Sequence, residues 1–208
     1  MTLLRNLFRD TRAASAGEFA LVLPLLMIML FGIIDAGRFF WILNKSEKAT
    51  QVGARMAIVT DPVSPDLIDA DFAGGAIKVG DLIPASSLGT IRCTSTGCSC
   101  IINPCPFANG AVDATAFNVV VDRMQMMNPL IAPGNVQIQY SGSGFGYAGS
   151  AAGGGGGGPE IMEIHPLVTV RLTGMQFDFI SLLGLVDITM PAASATLTAE
   201  DSSGTFSN

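Results

Sequence analysis

Four cysteines lie close together in the 208-residue sequence, in the stretch CTSTGCSCIINPC. They are Cys93, Cys98, Cys100 and Cys105, separated by four, one and four residues. Thiolates can bind zinc, but structural zinc sites favour closely spaced pairs that are separated by a longer stretch. The alternative is two disulfides. Because four cysteines permit three different pairings, the sequence leaves the connectivity open.

The single histidine, His165, raises the question of a metal or acid–base site because Glu160 and Glu163 precede it and Pro166 follows. A metal site would need more nitrogen ligands, and a Ser-His-Asp arrangement would need a supporting motif that the sequence lacks. We therefore interpret His165 as a solvated residue at the start of a strand. The glycine-rich tract also lacks the Lys-Ser/Thr of a phosphate-binding loop. We predict no catalytic residue, metal site or cofactor, and no enzyme activity.

A carboxylate, Glu18, directly precedes an apolar run, Phe19–Ile34, that contains no charge. Burial of a carboxylate in hydrocarbon is costly unless the group is paired, neutralised or able to reach the membrane surface. The run approaches the length of about 20 residues that spans a bilayer, so it predicts one transmembrane helix. Arg5, Arg9 and Arg12 precede it, and by the positive-inside rule they keep the N-terminus in the cytoplasm. The remainder is then exported, and an oxidising compartment favours the two disulfides.

A secretory signal peptide is the competing interpretation, with the arginines as its basic region and Phe19–Ile34 as its apolar core. Three features oppose it. Glu18 interrupts the boundary of the two regions, Ile34 is not followed by a clear small-x-small cleavage site, and a helical pattern continues beyond Ile34.

Composition limits the remaining classes of function. Apolar residues make up 49% of the chain, charged residues 13%, and the formal net charge is −6. A protein that binds nucleic acid needs clustered Lys and Arg to neutralise phosphates, and no such cluster is present, so we predict no nucleic-acid partner. The length suits one domain plus a membrane segment.

The pattern of apolar residues predicts an α+β fold with three regions. Residues 1–13 form a basic leader, residues 14–60 form one long helix that includes the transmembrane segment 19–34, and residues 61–208 form a small exported domain. In that domain, apolar residues recur at helical spacing after Asp113, and strands are predicted at Asn135–Ser141, Leu167–Leu172 and Ala193–Ala199. We therefore expect one further helix packed on an antiparallel sheet. A cysteine-rich loop at 93–105 and a glycine-rich loop at 141–159 complete the prediction.

The segment RAASAGEFALVLPLL, which begins at Arg12, resembles the N-terminal signature of the TadE-like family of tight-adherence (Flp) pilus assembly proteins. The pattern of that family is a small residue followed shortly by Glu-Phe or Glu-Tyr. The sequences Asp35-x-Gly-Arg38 and Gly53-Ala54-Arg55 are also similar to the family. The specific part of the resemblance covers residues 12–55, and the rest of the chain agrees in layout only.

The resemblance implies a pilin-like precursor that a prepilin peptidase cuts between Ala13 and Ala14, although Ala13 stands where glycine is usual. Glu18 would then be the fifth residue of the mature chain. At the cytoplasmic membrane edge its carboxylate can reach the headgroups, whereas in a packed helical assembly it needs a cation, for which the α-amino group of a neighbouring subunit is suited. Glu18 and Phe19 would thus serve assembly. The alternative is that Glu18 merely marks the membrane surface and pairs with nothing.

We therefore expect a single-pass protein of the bacterial inner membrane that acts as a minor pilin or pseudopilin, with its C-terminal domain in the periplasm or in a surface pilus. Its expected partners are other pilin-like subunits and the pilus assembly machinery. The alternative from another class is a membrane-anchored periplasmic binding or metal-handling module. Small residues that could bring helices together are Gly32, Gly37, Ala49 and Gly53.

Overall fold

The computed structural model describes residues 14–68, 70–105, 110–149, 162–180 and 187–199. It has an α+β fold with a long N-terminal helix, a second helix and a five-stranded antiparallel sheet, which confirms the predicted fold class. The chain divides into two compact units. The first contains residues up to Trp41 together with Gln176–Ile188, and the second contains Ile42–Met175 and the residues from Thr189 onward.

Helix α1 spans Ala14–Ala57 and is 44 residues long. It runs without interruption through Pro24 and past Ile34, where the apolar run ends. Proline is tolerated in a membrane helix because neighbouring groups can satisfy the freed carbonyl. Among the described residues, α1 is the one helix that is long and apolar enough to cross a membrane.

Helix α2 spans Ala114–Gln125 and begins where the sequence predicts an N-cap. The Asp113 carboxylate accepts hydrogen bonds from the backbone N–H groups of Thr115 and Ala116 at 2.7 and 3.1 Å. These bonds satisfy two of the amides that a helix leaves unpaired at its start. The helix buries one face, made of Ala116, Phe117, Val120, Val121 and Met124.

The strands of the main sheet are β1 (Thr90–Thr94), β2 (Gly97–Ile102), β3 (Val136–Ser141), β4 (Leu167–Leu172) and β7 (Ala193–Thr198). They lie in the order β2-β1-β3-β4-β7, and each neighbouring pair is antiparallel. The central strand β3 buries alternate side chains, as the sequence pattern predicts, because successive residues of a strand point to opposite faces. A separate two-stranded sheet consists of β5 (Gln176–Asp178) and β6 (Asp187–Thr189).

The core of the second unit closes around Tyr140, which is fully buried on β3. Its hydroxyl accepts a hydrogen bond of 2.8 Å from the backbone N–H of Val63. Burial raises the pKa of Tyr140, so the phenol stays protonated. This contact fixes the segment after α1 to the sheet.

The cysteine-rich segment forms a β-hairpin where the sequence indicated a loop. Strands β1 and β2 are joined by a tight turn, and Cys93 lies directly opposite Cys98 in their register. Disulfides join Cys93 to Cys98 and Cys100 to Cys105. Strand β2 lacks a regular alternation of apolar and polar residues, which is the usual sequence signal of a strand.

Candidate assembly site

The first part of α1, from Ala16 to Ile34, exposes all its side chains in the isolated chain. This stretch includes the charge-free apolar run Phe19–Ile34. Exposed apolar surface of this extent in a folded protein marks contact with lipid or with other protein. Its exposed large side chains are Phe19, Leu21, Val22, Leu23, Leu25, Leu26, Met27, Ile28, Met29, Leu30, Phe31, Ile33 and Ile34.

The two residues predicted for assembly, Glu18 and Phe19, lie on this surface and are both exposed. Glu18 directly adjoins the apolar run, so its carboxylate is open to a partner from outside the chain. Of the predicted cleavage pair, Ala13 lies outside the described residues and Ala14 is the first residue of α1. Cleavage there therefore stays a prediction.

The four small residues predicted to pack helices fall into two groups. Gly32 and Gly37 have no neighbouring atom within 4 Å of the position that a Cβ would take. Ala49 is fully buried, and a Cβ on Gly53 would stand 2.7 Å from Met124 Cγ and 3.3 Å from Val170 Cγ1. Ala49 and Gly53 therefore serve packing within the chain, and only the first pair is open to another subunit.

A buried carboxylate, Asp35, ends the apolar run of α1. Its Oδ1 atom accepts a hydrogen bond of 3.0 Å from Arg38 Nη1, one turn farther along the helix. The same oxygen accepts a hydrogen bond of 3.0 Å from the backbone N–H of Ile180. A carboxylate at the end of an apolar segment is thus supplied with a cation and a backbone donor, which offsets the cost of its burial.

Aromatic side chains extend this contact between α1 and the β5–β6 ribbon, the two-stranded sheet of the first unit. The rings of Phe39 and Phe177 meet edge to face with centroids 5.4 Å apart, and Phe177 meets Phe179 at 5.1 Å. The Arg38 guanidinium lies 5.2 Å from the Phe177 ring centroid. Its Nη1 atom also donates a 3.4 Å hydrogen bond to the Asp178 carbonyl. Edge-to-face aromatic pairs and cation–π contacts each contribute favourable energy beyond that of the apolar area they bury.

Two aspartates, Asp178 and Asp187, come together between the strands of the ribbon. A hydrogen bond that the protonated Asp187 donates to Asp178, together with the negative charge of Asp178, raises the pKa of Asp187. Both side chains belong to exposed residues.

Sequence reasoning identified Asp35 and Arg38 only as part of a family pattern and missed their partners in the ribbon. The partners are more than a hundred residues distant, and no local periodicity connects them. One signal was available. The stretch FDFISLLGLVDI, from Phe177 to Ile188, is an apolar run bracketed by two aspartates, and it resembles no other segment of the C-terminal half.

His165 and Glu163 line a cleft of about 430 Å³ together with Leu82, Phe145, Tyr147 and Met162. The Glu163 carboxylate is buried and accepts backbone hydrogen bonds from Phe72 and Gly149, both at 2.8 Å. Its two oxygens are therefore engaged in holding loops, and the geometry does not present them to a ligand. Glu160 lies outside the described residues, as does most of the glycine-rich tract.

A metal centre finds no support in the described ranges, where no group of three or more His, Cys, Asp and Glu side chains could hold an ion. All four cysteines are disulfide-bonded.

Comparison with protein families gives one match. Residues 13–55 match the TadE-like protein family, in agreement with the resemblance found at residues 12–55. The matched range begins at the predicted cleavage pair and ends near the end of α1. No curated protein and no solved structure matches the chain.

Proposed function

We propose that this chain is a minor pilin or pseudopilin, anchored in the inner membrane by α1, that takes part in the assembly of a tight-adherence pilus through helix–helix association. The match of residues 13–55 to the TadE-like family suggests involvement in a Tad pilus. The single observation that carries the proposal is the exposed apolar surface of α1 from Phe19 to Ile34, with Glu18 at its edge.

The continuity of α1 supports a membrane anchor over a cleaved signal peptide. Cleavage after Ile34 would sever a helix that continues to Ala57, and it would free the buried carboxylate of Asp35. A carboxylate that already has a cation and a backbone donor on its own chain is suited to remain at the edge of a bilayer. The basic residues before Ala14 favour an N-terminus in the cytoplasm and a C-terminal domain in the periplasm.

In this proposal the carboxylate of Glu18 makes the association of α1 specific for other pilin helices. In the isolated chain its exposed carboxylate can reach the headgroups, so insertion costs little. When α1 packs against other pilin helices, the carboxylate becomes buried and needs a cation. The α-amino group that cleavage would create at Ala14 of a neighbouring subunit is such a cation. Gly32 and Gly37 leave room for close approach of that neighbour.

Replacement of Glu18 by Gln tests this role because it removes the charge and keeps the size of the side chain. We expect Glu18→Gln to leave membrane insertion unchanged and to lower incorporation into sheared pili, measured by immunoblot of the pilus and membrane fractions. Glu47→Gln is the matched control, because Glu47 is an exposed glutamate on the same helix beyond the apolar run. Wild-type incorporation of the Glu18→Gln protein would contradict the pairing.

Processing can be tested on the same membrane fractions. N-terminal sequencing of protein from cells with an active prepilin peptidase should give chains that begin at Ala14. Recovery only of chains that begin at Met1 would contradict cleavage at Ala13–Ala14. Copurification of pilus components, rather than of a metal or small ligand, would separate the proposed function from that of a periplasmic binding or metal-handling module.

A further inference from the structure

Among the described residues of the first unit, four large apolar side chains are exposed beyond the apolar run of α1. On the helix these are Phe40 and Trp41, which are 62% and 65% exposed. On the β5–β6 ribbon they are Ile180 and Ile188, which are 48% and 36% exposed. We call these four residues the interfacial patch. They lie on two elements that the chain brings together through Asp35 and Arg38.

The level of this patch along the membrane normal follows from the helix. Glu18 and Asp35 bracket the apolar run and are about 26 Å apart along an α-helix at 1.5 Å per residue. The hydrocarbon layer of a bilayer is about 30 Å thick, so both acids lie near its two edges. Phe40 and Trp41 follow about 8 to 9 Å beyond Asp35, which is the level of the lipid headgroups.

Hydrogen bonds to Asp35 and Arg38 hold the ribbon near the same edge of the membrane. The backbone N–H of Ile180 reaches Asp35 at 3.0 Å, so this residue stands beside the acid at the membrane edge. Asp178 stands farther out, where its carbonyl accepts a hydrogen bond from Arg38. The ribbon therefore approaches the bilayer as the chain proceeds from Asp178 to Ile180.

We propose that the interfacial patch rests in the outer headgroup layer of the bilayer, which makes the β5–β6 ribbon a second membrane contact of this chain beside α1. The proposal rests on the assignment of α1 as a membrane anchor. Lipid is the occupant that the geometry favours because Ile180 lies beside Asp35, where the exposed apolar run of α1 ends, and Phe40 and Trp41 follow on the same helix. An exposed tryptophan at this depth is typical of the aromatic belts of membrane proteins.

The charged groups around the patch agree with this position. Arg38 neutralises Asp35, so the ribbon meets no unpaired charge at the edge of the hydrocarbon. The acids of the ribbon, Asp178 and Asp187, are both exposed.

A tryptophan moved to the ribbon tests the proposal, because Trp41 is the single tryptophan of the chain. The full-length protein carrying Trp41→Phe and Ile188→Trp is reconstituted in phosphatidylcholine/phosphatidylglycerol vesicles. We expect blue-shifted emission, loss of intensity with lipids brominated near the top of the acyl chain, and protection from aqueous acrylamide. Ile180→Trp in the same background provides a second probe should the first variant fold poorly.

The control carries Trp41→Phe and Phe145→Trp, which places the indole at an exposed aromatic position of the second unit. We expect no bromolipid quenching there.

Equal acrylamide quenching of the ribbon probes and the control, in protein that resists alkaline extraction, would overturn the ribbon contact and leave the anchor intact. Extraction of the wild-type protein by alkali would overturn the anchor itself. A blue shift that grows with protein density, without bromolipid quenching, would overturn lipid as the occupant in favour of a second copy.

Discussion

The two parts of α1 differ in what surrounds them although they belong to one helix. Residues Ala16–Ile34 expose all their side chains, whereas Ile42–Ala57 buries Ser46, Ala49, Thr50, Gly53, Ala54 and Ala57. The side chains of the first part are mostly large and apolar, whereas the second part combines small buried residues with exposed polar ones. The buried part has found its partners within the chain, and the exposed part must find its partners in lipid or in other subunits.

The glycines illustrate this difference most directly. At Gly53 the space that a side chain would occupy is filled by Met124 of α2 and Val170 of β4, so the helix lies close against the domain. At Gly32 the same absence leaves open space. One residue type thus serves internal packing in one part of the helix and remains available for association in the other.

The largest effect is expected when bulk is added at these two glycines. Gly53→Leu should destabilise the domain by about 1–3 kcal/mol or more, because a core that is already filled must shift. Gly32→Leu should leave the free energy of unfolding unchanged and reduce incorporation into pili. Urea unfolding of detergent-solubilised protein measures the first quantity, and pilus fractionation measures the second. Equal destabilisation by both variants would remove the distinction between the two parts of α1.

A more local effect, confined to the ribbon, is expected at Asp35, where the exposed part of α1 ends. Asp35→Ala removes the acceptor of the Ile180 N–H and the ion-pair partner of Arg38. A hydrogen bond to a charged group contributes about 1.5–3 kcal/mol, so the Ile180 amide should exchange with solvent about tenfold faster or more. Asp35→Asn, which keeps an oxygen acceptor, serves as the control and should retain part of the protection. Unchanged exchange in Asp35→Ala would show that the ribbon is held by other contacts.

The smallest effect is expected from pH, and it concerns the ribbon alone. Because Asp178 raises the pKa of Asp187, the folded ribbon holds a proton that the open ribbon releases. The stability of the ribbon should therefore fall as the pH rises through the raised pKa of Asp187, and it should be greater below that pKa than above it. Amide exchange of β5 and β6, corrected for the intrinsic pH dependence, measures this. Asp187→Asn should abolish the dependence, and an identical pH profile in that variant would assign it to another group.

Much of the fold could be predicted because its signals are local. The charge-free run after Glu18 predicts α1, the capping aspartate Asp113 predicts the start of α2, and the alternation around Ile138 predicts β3. The β1–β2 hairpin was not predicted as such. In Gly97–Ile102 cysteine, serine and isoleucine follow one another without a period of two, and only Cys98 is buried.

The candidate site was predictable only in part, for a different physical reason. Glu18 and the apolar run can be recognised from the sequence because the cost of a charge beside lipid depends on neighbours along the chain. The partners of Asp35 and the internal role of Gly53 depend on tertiary contacts over more than seventy residues. The spacing of residues along a single helix does not distinguish a glycine that packs against its own domain from a glycine that is exposed to another subunit.

The most direct test of the central claim is site-specific photocrosslinking in piliated cells. A photoreactive amino acid replaces Leu26 on the exposed part of α1 in one variant and Gln51 on the second part in another, since both side chains are exposed. We expect the probe at position 26 to yield adducts with a pilin-like subunit, identified by mass spectrometry, and the probe at position 51 to yield none with such a helix. Absence of any subunit adduct at position 26 from assembled pili would contradict it.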